Sequence, residues 1–196
     1  MKLSDLKAGS NTKQTLLLPV ASPYPVEITA ICGSQPGKTL IVTAGIHGCE
    51  YVGIEALNRL KKELDPAGLS GRVILLPLVN PEGFYMGAKQ TIPADGQNLN
   101  RMFPGDPAGT FSSRFAKILE KVLYPEADFL MDLHGGDINE ALTPLIFFPA
   151  AVPDTLAAQT SAAAAALSVP YRVASTSKNG LYSWAAQCGI PSLLVE

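Results

Sequence analysis

An apolar run leads directly into two potential metal ligands in Thr39-Leu40-Ile41-Val42-Thr43-Ala44-Gly45-Ile46-His47-Gly48-Cys49-Glu50. The residues up to Ala44 are apolar or β-branched, which predicts a buried β-strand. His47 and Glu50 follow at a spacing of i, i+3, which predicts that both lie on one side of a first helical turn. Because α/β proteins form their sites at the carboxyl ends of strands, this stretch predicts an α/β fold with a site at the end of the strand.

A third candidate ligand, His134, follows a second apolar run at Phe129–Leu133 and precedes Gly135-Gly136. Two histidine nitrogens and one carboxylate leave a fourth zinc position open for water, which is typical of catalytic rather than structural zinc. A single histidine at the end of a strand is more often a surface residue than a ligand. However, the chain has only two histidines, and both stand beside glycine after an apolar run. We therefore predict one Zn²⁺ per chain, held by His47, Glu50 and His134.

Four segments resemble, in order and context, the succinylglutamate desuccinylase/aspartoacylase family, a branch of the zinc carboxypeptidase-like superfamily. They are GIHGCE (45–50), DGQNLNRMFPG (95–105), DLHGGD (132–137) and GIPSLLVE (189–196). The resemblance runs from about residue 38 to the end of the chain. It implies a zinc hydrolase that cleaves amide bonds, and it is more specific for the fold and the metal than for the substrate.

The loop 92–105 contains Asn100 and Arg101, which match the Asn-Arg pair that binds a substrate carboxylate in the family. The chemistry suits this role, because a guanidinium offers a planar fork to two carboxylate oxygens and an asparagine amide adds a donor. The alternative is a surface connection in which Asp95-Gly96 makes a turn, Asn98 caps it and Arg101 is solvated. The resemblance favours the binding role.

The apolar segment before Glu196 predicts a last strand, and the resemblance implies that Glu196 is the catalytic general base and then the general acid. By position alone it would be a frayed terminus. The resemblance also implies a substrate-site role for Tyr182, with simple packing as the alternative. Asp132 shares a strand face with His134, so it is predicted either to orient that ligand or to make a structural hydrogen bond.

The chain also departs from the family pattern. An arginine that members carry shortly before the Pro-x-Asp-Gly segment is absent, and Lys89 is the candidate point charge in its place. The aspartoacylase-type arginine about one turn after the tyrosine falls at Ala186, which argues against N-acetylaspartate as the substrate. Family members usually continue past the catalytic glutamate into a small β-rich domain. We therefore predict a single zinc hydrolase domain over residues 1–196, truncated after Glu196.

Alternating predicted strands and helices indicate a three-layer α/β/α sandwich with a mixed central sheet, which the resemblance implies is zinc-exopeptidase-like. Strands are predicted at 15–20, 26–32, 40–44, 72–79, 129–133, 145–148, 171–174 and 192–195. Helices are predicted at 51–64, 110–123, 153–167 and 181–188. The turn residues 22–25 predict an antiparallel pair at one edge of the sheet.

Charge and cysteine content narrow the class of protein. With 15 Lys plus Arg, 17 Asp plus Glu and no basic cluster, the composition excludes nucleic acid and anionic membranes as partners. The first residues are charged where a signal peptide needs an apolar core, and no apolar run reaches about 18 residues, so we predict a cytoplasmic protein. The three cysteines, Cys32, Cys49 and Cys188, form no CxxC pair and are predicted to be reduced core residues.

Together these features predict a zinc-dependent deacylase of N-acyl amino acids, whose partner is a small molecule with a carboxylate. One alternative keeps the chemistry and makes the protein a metallocarboxypeptidase, in which Arg101 binds the terminal carboxylate of a peptide. The other alternative is a non-catalytic protein that binds zinc and a carboxylate without turnover. The sequence gives no indication of the oligomeric state.

Overall fold

The computed structural model describes residues 2–196, so Met1, the first residue of the predicted domain, lies outside the described range. The strands are β1 (Thr12–Leu17), β2 (Glu27–Cys32), β3 (Gln35–Ala44), β4 (Ser70–Leu76), β5 (Phe129–Leu133), β6 (Leu145–Pro149), β7 (Tyr171–Ser175) and β8 (Ser192–Val195). The α-helices are α1 (Tyr51–Glu63), α2 (Pro81–Met86), α3 (Phe111–Leu123), α4 (Asp154–Ala166) and α5 (Leu181–Gln187).

The strands form one mixed sheet in the order β1-β2-β4-β3-β5-β8-β6-β7. The central strands β4, β3, β5 and β8 run parallel, whereas β1 and β2 form the antiparallel pair predicted at one edge. Beyond β8, β6 runs antiparallel to it and β7 runs parallel to β6. The predicted α/β class and mixed sheet are confirmed.

Side chains that alternate along the strands divide the core into two layers. In β3, Ile41 packs with residues of α3 and α5 on one face, and Val42 packs with Ile54 and Leu57 of α1 on the other. Helix α4 covers β6 and β8 through Ala164. Because neighbouring strand residues point to opposite faces, this pattern requires helices on both sides of the sheet. The three-layer sandwich follows from it.

Several bounds differ from the predictions, and one helix was not predicted. Strand β3 begins at Gln35 rather than at residue 40, and β4 occupies Ser70–Leu76 rather than 72–79. Strand β1 occupies Thr12–Leu17 rather than 15–20, because its pairing with β2 begins at Thr12 opposite Cys32. Helix α2 was missed because a six-residue helix that contains glycine carries no clear helical period. Its end signals are nevertheless present, since Asn80 accepts a hydrogen bond from the Gly83 amide at 2.9 Å and Gly87 ends the helix in a left-handed conformation.

Two further sequence expectations concern cysteines and long helices. Cys32 and Cys49 are buried free thiols, as predicted, but the prediction of a core position is wrong for Cys188, which is exposed just after α5. Cys188 is the C-cap residue of α5, and the buried residues of that helix all precede it. Among the described residues, no helix combines the length and the apolar character that crossing a membrane would require.

Candidate functional site

The site lies where three parallel strands end side by side. Ala44, the last residue of β3, is in register with Leu133 of β5, and Leu133 is in register with Val195 of β8. The residues that follow these ends therefore meet at one edge of the sheet. They include His134 and Glu196, which lie directly after β5 and β8.

The predicted metal ligands His47, Glu50 and His134 lie together and are all buried. Nδ1 of His47 lies 2.6 Å from Oε1 of Glu50, and Nδ1 of His134 lies 2.8 Å from Oε2 of the same carboxylate. The ligand atoms of the three residues all lie within 4.8 Å of one another. Glu50 Oε2 is buried without a hydrogen bond despite its contact with His134. A buried carboxylate oxygen left between imidazole nitrogens fits a bound cation.

The local conformation of the first two ligands differs from the prediction. Helix α1 begins at Tyr51, so Glu50 is its N-cap residue and His47 precedes the helix. The Glu50 amide donates to the His47 carbonyl at 3.2 Å. This turn, and not a first helical turn, brings the two side chains together. Gly48 permits the turn, because a β-carbon there would lie 2.2 Å from the Phe84 nitrogen.

The outer nitrogen of each imidazole contacts an acceptor. Nε2 of His134 lies 3.1 Å from Oδ2 of Asp132, whose Oδ1 accepts a hydrogen bond from Thr43 at 2.6 Å. Nε2 of His47 lies 3.2 Å from Oδ1 of Asn98. An acceptor at Nε2 places the ring proton there and leaves the Nδ1 lone pair facing Glu50, as metal coordination requires.

Sequence reasoning missed the contact of Asn98 with His47. The sequence predicts Asn98 only as a cap of the loop, and Asn98 does accept a hydrogen bond from the Asn100 amide at 2.9 Å. The same oxygen also faces the histidine, which no local pattern indicates because 51 residues separate the two side chains.

The charges of the cluster require compensation. Burial raises the pKa of Glu50, but its contacts with His134 and His47 outweigh burial and lower the pKa from 4.5 to about 2. Burial lowers the pKa of His134, but Asp132 and Glu50 outweigh it and raise the pKa to about 10. The buried carboxylates of Glu50 and Asp132 thus require a positive charge between them. Either a proton on His134 or a bound cation supplies this charge.

A cavity of about 310 Å³ opens above this cluster. Its walls contain all of the sequence-predicted site residues except Asp132, which lies behind His134. The residues that line it include His47, Glu50, Gln90, Asn100, Arg101, His134, Glu140, Tyr182 and Glu196. The loop and the last strand, far apart in sequence, therefore face one space.

Asn100 and Arg101 present donors to the cavity. Oδ1 of Asn100 accepts a hydrogen bond from the Leu181 amide at 2.8 Å, which fixes the side-chain amide. Nδ2 then lies 3.4 Å from Nε2 of His134. Because that histidine nitrogen donates to Asp132, Asn100 keeps its N–H groups for a ligand. Arg101 donates one N–H group to the Asn100 carbonyl at 2.9 Å, which leaves the rest of its guanidinium for the cavity.

Glu196 is held by backbone hydrogen bonds, unlike a frayed terminus. Its amide donates to the Leu145 carbonyl at 2.9 Å, and its side chain faces the cavity. Burial raises the pKa of the Glu196 side chain above its usual value, although His134 opposes this shift. Tyr182 is buried in the first turn of α5 and also lines the cavity. Burial raises the pKa of Tyr182, opposed by a hydrogen bond with Ser175.

Lys89 does not take the place of the absent arginine. Its ammonium lies 3.0 Å from Oδ1 of Asp137 and 2.7 Å from Oδ1 of Asn139, and it is not among the residues that line the cavity. The buried carboxylate of Asp137 accounts for this position. The next residue, Gln90, does line the cavity.

Comparison with known proteins agrees with the fold. Residues 36–196 match the family described as Succinylglutamate desuccinylase/Aspartoacylase catalytic domain. The chain is 44% identical over 100 residues to the N-alpha-acetyl-L-2,4-diaminobutyric acid deacetylase of Halomonas elongata, in an alignment that covers 51% of this chain and 29% of that protein.

Solved structures extend the comparison to almost the whole chain. A succinylglutamate desuccinylase/aspartoacylase from Rhodobacter sphaeroides superposes with a TM-score of 0.83 at 33% identity, over 94% of this chain and 57% of that one. A metallo-carboxypeptidase from Burkholderia cenocepacia gives a TM-score of 0.73 at 19% identity, over 94% of this chain and 55% of that one, and this likeness concerns the fold alone. The chain spans less than two thirds of the length of each of these relatives.

Proposed function

Because this chain belongs to the succinylglutamate desuccinylase/aspartoacylase family, we propose that it is a zinc-dependent amide hydrolase that deacylates N-acyl amino acids. The observation that carries the proposal is that His47, Glu50 and His134 line the same cavity as Glu196 and the pair Asn100 and Arg101. The name of the Halomonas elongata relative, a deacetylase of an Nα-acetyl amino acid, supports a deacylase over other amide hydrolases.

His47, Glu50 and His134 would hold the ion. Nitrogen and oxygen donors in this combination suit Zn²⁺, and three protein ligands leave a position for water or substrate. When bound, the ion would supply Lewis acidity, which acidifies water and polarises an amide carbonyl. Asp132 and Asn98 would keep the two imidazoles in the ligating tautomer through the contacts at their outer nitrogens.

Glu196 would move the proton. Its carboxylate faces the same cavity as the ligands, so it can accept a proton from the attacking water and return it to the leaving nitrogen. The raised pKa of Glu196 makes its carboxylate a better proton acceptor than an exposed glutamate. The hydrogen bonds of its backbone to β6 hold the side chain in place.

Asn100 and Arg101 would bind the substrate carboxylate. Both present N–H donors to the cavity, and Arg101 offers the planar arrangement that matches two carboxylate oxygens. The Tyr182 hydroxyl would add a polar contact to the bound substrate from α5. Together these groups would orient the amide bond toward the metal cluster and Glu196.

Metal analysis coupled to a substrate panel tests this proposal. We expect close to one zinc ion per chain in purified protein, most of which should be lost in His134→Ala. N-acetyl amino acids should be hydrolysed, whereas dipeptides with a free carboxylate should not. Hydrolysis of dipeptides alone would make the protein a carboxypeptidase. Bound zinc without any turnover would make it a binding protein, and full zinc retention in His134→Ala would contradict the metal site.

A further inference from the structure

Two segments that carry proposed substrate-binding residues meet at the start of helix α5. Asn100 lies in the loop 92–105, and Tyr182 lies in the first turn of α5. The Leu181 amide donates to Oδ1 of Asn100 at 2.8 Å, so the loop satisfies one of the first amides of α5, which have no partner within a helix. A β-carbon at Gly180 would lie 2.8 Å from the same oxygen, because loop and helix approach closely here. The place of Asn100 in the cavity therefore depends on the place of α5.

A buried tyrosine that does not line the cavity contacts both segments. The Tyr124 hydroxyl donates to the Leu181 carbonyl at 2.6 Å, although the two residues are 57 positions apart in sequence. The Tyr124 ring lies nearly parallel to the ring of Phe103, at an angle of 14° and with the ring centroids 6.4 Å apart. Phe103 follows Arg101 closely in the loop 92–105. Tyr124 thus binds the helix through a hydrogen bond and packs against the loop through its ring.

A second buried hydroxyl holds the next residue of α5. Ser192, the first residue of β8, is completely buried, and its Oγ donates to the Tyr182 carbonyl at 2.7 Å. The carbonyls of Leu181 and Tyr182 are therefore each bound by a hydroxyl group from a different part of the core. A buried hydroxyl costs free energy unless it is hydrogen-bonded, so both bonds resist a shift of this helical turn.

The hydroxyl group of Tyr124 adds more than packing. The Tyr124 ring belongs to the main core cluster, where a phenylalanine ring would bury nearly the same apolar surface. What the hydroxyl adds is a fixed position for the Leu181 carbonyl. Groups that bind a substrate need such support, because a displacement of about 1 Å already weakens a site.

We propose that Tyr124 and Ser192 are positioning residues for substrate binding. Tyr124 fixes Leu181, which in turn fixes the side-chain amide of Asn100, and Ser192 fixes the backbone of Tyr182. The inference rests on the proposed deacylase function and deepens it, because it assigns part of the substrate affinity to two residues that do not touch the substrate. Neither hydroxyl takes part in metal binding or in proton transfer.

Tyr124→Phe and Ser192→Ala test the proposal, since each substitution removes one hydroxyl group and little else. The substrate is the N-acetyl amino acid that the wild type hydrolyses best. Each variant should raise KM by about 2–10-fold, the size of one hydrogen bond. The value of kcat should stay within about twofold of the wild type, because Glu196 and the metal cluster are unchanged. Zinc content should also hold.

Thr160→Val is the matched control for a general effect of losing a buried hydroxyl. Thr160 is completely buried in α4, and its Oγ1 donates to the Leu156 carbonyl at 3.0 Å, away from the cavity. This variant should keep the wild-type KM, and thermal unfolding of all three variants checks that they fold. A rise of KM in Thr160→Val as large as in the other two would overturn the positioning role.

Double-mutant cycles test the route by which each hydroxyl acts. Tyr124→Phe should raise KM by less than about twofold when Asn100→Ala is already present, and Ser192→Ala should do the same beside Tyr182→Phe. Equal increases with and without the second substitution, or an unchanged KM in both single variants, would overturn the positioning role while the deacylase function stands. If the wild type hydrolyses no N-acetyl amino acid, both proposals are overturned.

Discussion

The Asp132 carboxylate lies 3.1 Å from Nε2 of His134, on the side of the ring opposite Glu50. Asp132 is completely buried, and its other oxygen accepts a hydrogen bond from Thr43 on the neighbouring strand at 2.6 Å. The sheet therefore fixes the carboxylate, and the carboxylate fixes the imidazole. This arrangement makes the position of His134, a candidate metal ligand, depend on the register of β3 and β5.

The first prediction concerns Asp132→Asn. The substitution keeps the size of the side chain but removes the charge that orients His134, so zinc affinity should fall by about 10–100-fold while the fold persists. Competition with a chelator measures the affinity, and circular dichroism checks the fold. Asp128→Asn, at the far end of β5, is the matched control and should leave zinc affinity unchanged. Equal affinity in the two variants would contradict the orienting role.

The second prediction concerns Arg101→Lys. The variant keeps the positive charge but loses the planar fork, so substrate binding should weaken by about 1–3 kcal/mol, the size of a charge-assisted hydrogen bond. Steady-state kinetics with an N-acetyl amino acid measures the effect. Arg114→Lys is the control, because this arginine lies on α3 and donates to the Gly109 carbonyl outside the cavity. A wild-type KM and rate in Arg101→Lys would return Arg101 to the role of a solvated loop residue.

The third prediction concerns the pH dependence of the contribution that Asp95, in the loop 92–105, makes to the free energy of unfolding. Burial raises the pKa of Asp95, but hydrogen bonds from Ser112 and the Gln97 amide outweigh it and hold the pKa below its ordinary value of 3.8. The ionised form is thus stabilised by folding, so its contribution is present above about pH 4 and is lost as the pH falls through the lowered pKa. Asp95 receives N–H and O–H bonds from Ser112 at the start of α3, both at 2.7 Å.

Asp95→Asn should therefore lower the free energy of unfolding by about 1 kcal/mol at neutral pH, as for the loss of a helix cap. Chemical denaturation at several pH values measures this difference, which should shrink toward zero as the solution becomes more acidic than the pKa of Asp95. A difference that stays constant between pH 7 and pH 2 would show that the effect does not depend on the charge.

Much of the fold could be predicted because its signals are local. The bounds of β5 and β8 could be predicted directly, since each strand is a mostly apolar segment between turn residues. The position of β1 could not be predicted in the same way, because it depends on pairing with β2. Periodicity indicates an element, whereas register is decided by the partner strand.

The candidate site also combines residues with a local sequence signal and contacts that depend on distant parts of the chain. His47, Glu50 and His134 were recognisable because each follows the end of an apolar strand, where α/β folds gather their ligands. The contact of Asn98 with His47 and the position of Glu140 were not recognisable. Both depend on how loops fold back over the ends of the strands, and such contacts between distant residues leave no period in the sequence.

The last prediction concerns Glu196→Gln. Glutamine has nearly the same shape as glutamate but cannot accept and return a proton, so turnover should fall by about 10²–10⁴-fold, the usual contribution of general acid–base catalysis. Zinc content should hold, because the metal cluster does not include Glu196, and a carboxylate ligand should still bind at Arg101. Glu63→Gln provides the same chemical change at an exposed position, the last residue of α1, and should keep full activity. Turnover in Glu196→Gln equal to that of an active wild type would mean that another group moves the proton, and Asp132 behind His134 would be the next residue to substitute.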